Sequence, residues 1–266
     1  MKKQYDVAAY IWPAYTGDEP RTRIFWPEGM GEWQSVRSAQ AKFPGHQWPR
    51  KPLWGYVNEA DPYVMEMEIE AAVSHGVNVF IYDWYWYDGR PFLENCLNDG
   101  YLKARNNDLV KFYLMWANHS VTHMWHVGLS SEVSDVIWDG SVGMSEFKLI
   151  VERWITKYFT HPSYYKIDGK PVLMIYDLWN FVRGFDGLDG ARKAIEYFRN
   201  EVVKAGFPGL HLQMVTRDID YYHELGFDSV SDYQMHGYIK NETDFMDFSA
   251  MVEATKEHFE VMDKKN

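Results

Sequence analysis

The chain has one cysteine, Cys96, so no disulfide can form within it. No apolar run comes near the ~20 residues that cross a bilayer as a helix, so a membrane partner is not expected. Behind Met1-Lys2-Lys3-Gln4-Tyr5-Asp6 there is no apolar stretch of the kind a secretory signal uses, and the expected location is the cytoplasm. Basic charge is scarce: 27 Lys and Arg stand against 38 Asp and Glu, a net charge of −11. Nucleic-acid phosphates attract Lys and Arg, so nucleic acid is not an expected partner either. A glycine-rich phosphate loop, short repeats, low-complexity segments and an interdomain linker are all missing.

What is present suits one large domain. A length of 266 residues fits a single α/β barrel, and a hydrophobic share of 46% supplies a full core. The unusual quantity is the aromatic share, 17%, with 12 Trp and 19 Tyr. An indole has a flat apolar face and one N–H donor, which matches the C–H faces and hydroxyl rims of sugar rings. The same composition also fits a Trp-rich core, and composition alone leaves both open.

Strand and helix signals alternate along the chain, which implies a parallel sheet. Residues 6–12 read as a first buried strand ended by Pro13. A long loop follows, roughly 14–60, rich in Pro, Gly and Trp. Loops of that length without regular structure are usually functional or disordered, and the aromatics here favour an ordered loop lining a site. Asp61-Pro62 opens a helix that ends near Gly76. Further strands are expected at 77–82, 110–116, 171–176, 210–215 and 228–233, with helices at about 91–105, 144–159, 189–205, 219–225 and 244–262. The count is six strand–helix units. The expected fold is therefore a TIM-type (β/α) barrel in one domain, 1–266, lacking its last two units.

In such a barrel the site lies at the C-terminal ends of the strands. Read in order, those ends carry Tyr10 and Trp12; Asp83, Trp84 and Trp86; Trp116, Asn118 and His119; Tyr176 and Asp177; Asp218; and Tyr233. Nearly every end pairs an aromatic with a carboxylate, amide or imidazole. Sugar binding uses that pairing, with faces to stack and planar polar groups to bond vicinal hydroxyls. Asp83 and Asp177 are the candidate catalytic pair, since glycoside hydrolysis commonly uses two carboxylates. Each could equally cap a turn or hold a neighbouring Tyr or Trp. Trp84 and Trp86 are expected to divide, one toward the cleft and one toward the helices. His119, His123 and His126 have a spacing that would share a helix face and suit zinc, but they lack the acidic neighbour of the familiar motif. Neither a metal nor an organic cofactor is expected.

Several motifs resemble glycoside hydrolase family 99-like proteins, including the WbsX type. They are Gly31-Glu32-Trp33, the run Phe43-Pro44-Gly45-His46-Gln47-Trp48-Pro49-Arg50-Lys51-Pro52-Leu53, the aromatic end of strand two, Trp116-Ala117-Asn118 and Tyr165–Val172. The resemblance spans roughly residues 7–215. It implies a TIM-type barrel acting on glycans and adds Glu32, Trp33 and His46 to the candidate binding residues. Family 99 itself contains retaining endo-α-mannosidases, and WbsX-type members were long labelled glycosyltransferases. Two departures stand out. The family usually reads Trp-Ala-Asn-Glu where this chain has His119, and its catalytic glutamates lie in an Asn-Glu-Trp-x-x-Glu-like stretch that is not found here. The expected partner is an oligosaccharide or polysaccharide, in a hydrolase-like protein that binds glycan at the strand ends without hydrolysing it. A glycosyltransferase of surface-polysaccharide synthesis and a non-catalytic glycan-binding protein are the alternatives. The oligomeric state is open.

Overall fold

A computed structural model describes residues 5–126, 135–215, 221–233 and 248–263. Six parallel strands form one sheet in sequence order: β1 (Ala8–Ile11), β2 (Val79–Tyr87), β3 (Lys111–Trp116), β4 (Lys170–Ile175), β5 (His211–Val215) and β6 (Ser229–Ser231). Each strand pairs in parallel with the next. Among the described residues β1 and β6 do not pair, so the barrel is open, as the strand count predicts. The crossover helices are α2 (Pro62–Ser74), α3 (Met144–Arg153), α4 (Leu178–Gly184), α5 (Leu188–Lys204) and α6 (Tyr222–Leu225), after a short α1 (Trp33–Ser38) and before α7 (Phe248–Asp263).

Local chemistry explains the ends. Asp61 caps α2 by accepting from the Tyr63 N–H at 2.9 Å, and Pro62 occupies the first turn, where no donor is missed. Asp168 and Gly169 both take positive φ, 51° and 79°, and so turn the short strand Lys166–Ile167 back onto β4 as a tight hairpin.

Three expectations change. The helix expected at 91–105 is shorter and irregular: a short strand, Arg90–Phe92, folds back on β2, and only then come a π-helical stretch at Cys96–Gly100 and a 3-10 turn at Tyr101–Lys103. Pro91 favours an extended Arg90, and Leu93 takes φ 58°, which no helix accepts. The long loop is not without regular structure, since Pro20–Ile24 forms a 3-10 turn and Trp33–Ser38 a helix. Strand two runs on to Tyr87, because the Asp83–Tyr87 aromatics suit a buried sheet.

The period-2 alternation of the strands sorts side chains into two layers. Ile81, Asp83 and Tyr85 of β2 point into the barrel with Tyr10, Tyr113 and Met115, as the register requires. Phe80, Tyr82, Trp84 and Trp86 point to the helices. There Trp84, Trp116 and Trp154 pack edge to face at 5.3 and 5.5 Å, with Phe147 and Phe181 around Trp116. Glu94 ties this layer together. It accepts from Trp84 Nε1 at 2.8 Å, the Tyr158 hydroxyl at 2.7 Å and Arg153 Nε at 2.9 Å. Those donors hold its carboxyl below the usual range against the opposing effect of burial.

Candidate functional site

A cavity of about 510 Å³ opens at the C-terminal ends of the strands. Its walls come from five of the six strands' ends and from the loop after β1. Asp83 and Tyr85 rise from β2, Met115, Ala117 and His119 from β3 and its extension, Tyr176 and Asp177 from β4, Tyr233 from β6, and Trp12, Tyr15 and Glu32 from β1 and its loop. Trp125 closes one side from a single 3-10 turn, His123–Trp125.

Asp83 is 3% exposed. Tyr233 donates its hydroxyl to Oδ2 at 2.8 Å, while Oδ1 is buried with no hydrogen-bond partner. Burial pushes the Asp83 carboxyl up to about 7, and the hydroxyls of Tyr233 and Tyr85 pull it only part of the way back. Near neutral pH this group therefore exists in both protonation states, able to donate in one and accept in the other.

Glu32 reaches the same cavity from the loop. Gly31 takes φ 59°, and a Cβ there would stand 1.9 Å from the Ala14 carbonyl oxygen. Only glycine lets the chain approach so closely, and the Glu32 N–H then bonds that carbonyl at 3.0 Å. The Glu32 carboxylate accepts from Trp12 Nε1. Burial raises its affinity for a proton, and the indole donor offsets part of that rise. Tyr15 beside it is pushed up to about 12, by burial first and then by the charges of Glu32 and Glu59.

His119 meets Tyr85, Trp125 and Tyr176 edge to face at 5.8, 5.5 and 5.7 Å. Burial lowers its pKa, which favours the neutral ring. Its Nδ1 lies 3.1 Å from the Ser120 carbonyl, which can only accept, so Nδ1 carries the proton and Nε2 is an acceptor. Asp177 caps α4 through Oδ1, 2.9 Å from the Asn180 N–H. Asn118 clasps the same residue, accepting from the Asp177 N–H at 2.8 Å and donating to its carbonyl at 2.7 Å.

The cavity thus gathers Trp12, Glu32, Asp83, His119, Tyr176, Asp177 and Tyr233 of the expected set, and Tyr10 packs under Tyr233 at 4.8 Å. The others lie elsewhere. Trp84 and Trp86 do not divide between cleft and helices. They are two residues apart, share a face, stack at 5.9 Å and both turn to the helix layer, where Trp86 Nε1 donates to Glu146 at 2.5 Å. Trp116 is in the same layer. Trp33 packs behind Tyr15 at 4.2 Å. His46 stays on the loop, stacked on Phe43 at 4.5 Å. Asp218 lies outside the described residues. The three histidines share no helix face, because Val121–Thr122 is extended. Among the described residues no three His, Cys, Asp or Glu gather as a metal site would require.

Sequence reasoning passed over Tyr15, Tyr85 and Trp125. Tyr85 was accessible by parity, two residues after Asp83 on the inward face. Trp125 is brought in by a turn after β3 that no local pattern announces.

Residues 7–265 match the family Glycosyltransferase WbsX. The chain belongs to this family. Curated relatives named "Uncharacterized protein WxcX", from two strains of Xanthomonas campestris pv. campestris, are 26% identical over 158 residues. That match covers 59% of this chain and 22% of the relative. Among solved structures, glycoside hydrolase family 99 endo-α-mannosidase from Bacteroides thetaiotaomicron aligns over 86% of this chain and 61% of its own, at 14% identity and a TM-score of 0.46. A second structure of that enzyme, in complex with Bis-Tris propane, gives 15% identity, 59% of its own chain and a TM-score of 0.47. At that level of likeness no residue role passes from them to this WbsX-family chain. Among its described residues no helix is long and apolar enough to cross a membrane.

Proposed function

We propose that this WbsX-family chain binds an oligosaccharide or polysaccharide in the strand-end cavity, with Asp83 as the group that exchanges a hydrogen bond or a proton with the bound sugar. The observation that carries the reading is the partnerless, buried Oδ1 of Asp83 within walls of Trp12, Tyr85, Trp125 and Tyr176. A buried polar atom without a partner is costly unless something else satisfies it, and a sugar hydroxyl has the right chemistry. The aromatic walls suit C–H faces, and neutral His119 offers Nε2 as a further acceptor.

Asp177 is the weaker half of the catalytic pair, because one of its oxygens is committed to the α4 cap. Each carboxyl of the cavity already has one oxygen engaged, Asp83 by Tyr233, Asp177 by the α4 cap and Glu32 by Trp12, and the proposed activity is binding without hydrolysis by these residues. The family's description as a glycosyltransferase supports a second reading, transfer from an activated sugar donor. Titration calorimetry of the chain with a panel of α- and β-linked oligosaccharides, and separately with nucleotide sugars, distinguishes them. Oligosaccharide binding weakened about tenfold or more by Asp83→Asn or Trp125→Ala is expected, a loss of at least ~1.4 kcal/mol. Tight nucleotide-sugar binding would favour transfer, and oligosaccharide binding unchanged in both variants would remove the cavity from consideration.

A further inference from the structure

Outside the cavity, the segment 33–58 differs in charge from the rest of the molecule. It holds Arg37, Lys42, Arg50 and Lys51 and no carboxylate, in a chain of net charge −11. Arg37 is paired with Glu28, but Lys42, Arg50 and Lys51 have no ion pair among the described residues. The same segment exposes apolar groups that a plain connection would hide. Leu53 is 95% exposed, and Trp48, Trp54 and Tyr56 are 39%, 42% and 36% exposed. Clustered exposed apolar residues of this kind mark interaction surfaces.

Two of these cations and one of the rings share a depression. A cavity of about 460 Å³ is lined by Gln47, Trp48, Pro49, Arg50 and Lys51. Its rim is built by local contacts. His46 lies between Phe43 and Trp48, at 4.5 and 5.1 Å, and its Nδ1 accepts from the Lys42 N–H at 3.1 Å. From Tyr56, at the end of the same segment, ring contacts lead to the strand-end cavity. Tyr56 meets Trp33 at 5.6 Å, Trp33 meets Tyr15 at 4.2 Å and donates to the Val57 carbonyl at 2.6 Å, and Tyr15 lines the cavity.

We propose that this loop is a second, outlying binding surface for an acidic polysaccharide, with carboxylates of the polymer paired to Lys42, Arg50 and Lys51 and its sugar rings laid against Trp48, Trp54 and Tyr56. The proposal rests on the reading of the strand-end cavity as a glycan site, because the series of rings leads there. Charge selects the occupant. A neutral polymer would use the rings and leave three cations unanswered, whereas a polyanion is drawn to a basic stretch on an acidic molecule. Exposed Trp and Leu beside Lys and Arg also occur where proteins touch anionic bilayers. The ring connection to the cavity favours the glycan.

The test measures binding of the whole chain to polygalacturonate and to its methyl-esterified form, which keeps the backbone and removes the charge. The expected result is preference for the acid form, weakening about tenfold as salt rises from low to near-physiological strength, as charge pairing predicts. Arg50→Gln/Lys51→Gln should lower affinity for the acid form about fivefold or more and flatten the salt dependence. Trp54→Ala/Tyr56→Ala should weaken both forms. Binding of short neutral oligosaccharides at the cavity should be unchanged in Arg50→Gln/Lys51→Gln. Equal binding of the two polymers, indifference to Arg50→Gln/Lys51→Gln, or binding to phosphatidylserine vesicles without binding to the polymer would overturn the proposal. Loss of polymer binding in the loop variants, with no effect of Asp83→Asn on any ligand, would uphold the loop surface and sink the cavity reading instead.

Discussion

A carboxyl group buried among hydroxyls and rings resists ionisation, and Asp83 is held near 7 for that reason. Its effect on stability has a definite sign. In the unfolded chain Asp83 loses its proton near ~3.9, whereas in the folded chain it keeps it to about 7. Between those values the folded state binds the extra proton, so stability falls as pH rises through that window, by about 1.4 kcal/mol per pH unit for this one group, and levels off above it. Asp83→Asn removes this slope. Denaturant unfolding at pH 5 and pH 8 should show a smaller drop in the variant than in the wild type, and identical drops would show that Asp83 is ionised throughout. Burial raises Glu59 and Glu68 as well, with the charge of Glu68 adding to the rise of Glu59, so the wild-type slope should not vanish in the variant. Asp83 was legible in the sequence because it stands on a strand where alternation predicts facing. Asp177 was legible as a position with two alternatives, catalysis or capping, and the Asn180 N–H and the Asn118 clasp decide for the cap.

Elements deliver these residues, and two of them can be tested as units. Gly31→Ala would place a methyl where the Ala14 oxygen stands, at a φ that disfavours side chains, so the loop must move and take Glu32 with it. A loss of about 2 kcal/mol or more is expected, with weakened ligand binding, and a variant that keeps both would show the turn to be adaptable. Glu94→Ala should cost about 3 kcal/mol, because it leaves Trp84 Nε1 unpaired, leaves the Tyr158 hydroxyl with Asn98 Oδ1 alone, and frees a half-buried Arg153. Glu94→Gln, which keeps acceptors, should cost less, and equal losses would argue against the network. The sequence reads well where apolar runs meet turn residues, as in all six strands and at Asp61-Pro62. It misleads at 91–105, where Leu93, Cys96, Leu97, Tyr101 and Ala104 fall at helical spacing. The tertiary structure overrides that period. Gly100 packs so close to the Glu59 carbonyl that a Cβ would stand 2.1 Å from it, and Leu93 breaks the chain direction. The aromatic excess misleads in a similar way, since both a core and a cleft are built from it. Trp84, Trp116 and Trp154 serve the core, Trp12 and Trp125 the cavity, and only sheet parity and loop placement separate them.

At the scale of the whole molecule, an open sheet has two ends to keep in place, and interior side chains do this where backbone pairing does not. Tyr10 of β1 donates its hydroxyl to the Asp232 carbonyl just beyond β6 at 2.8 Å, and its ring meets Tyr233 edge to face at 4.8 Å. Tyr233 in turn bonds Asp83 on β2. The first strand, the last strand and the proposed site are therefore one connected set. Tyr10→Phe keeps the ring and deletes the bridge, leaving a carbonyl without this donor, a loss of about 1–2 kcal/mol and a few degrees in Tm. A merely local bond would stop there. If the bridge also positions Tyr233, the Asp83 carboxyl loses the hydroxyl that holds it down, and its midpoint should move above the wild-type value of about 7. The stability difference between a chain and its Asp83→Asn counterpart, followed across pH, isolates that midpoint from Glu59 and Glu68, and in the Tyr10→Phe background this difference should level off at higher pH than in the wild type. A Tyr10→Phe chain of lowered Tm but unchanged midpoint would mean that the two ends of the sheet are joined without any consequence for the site.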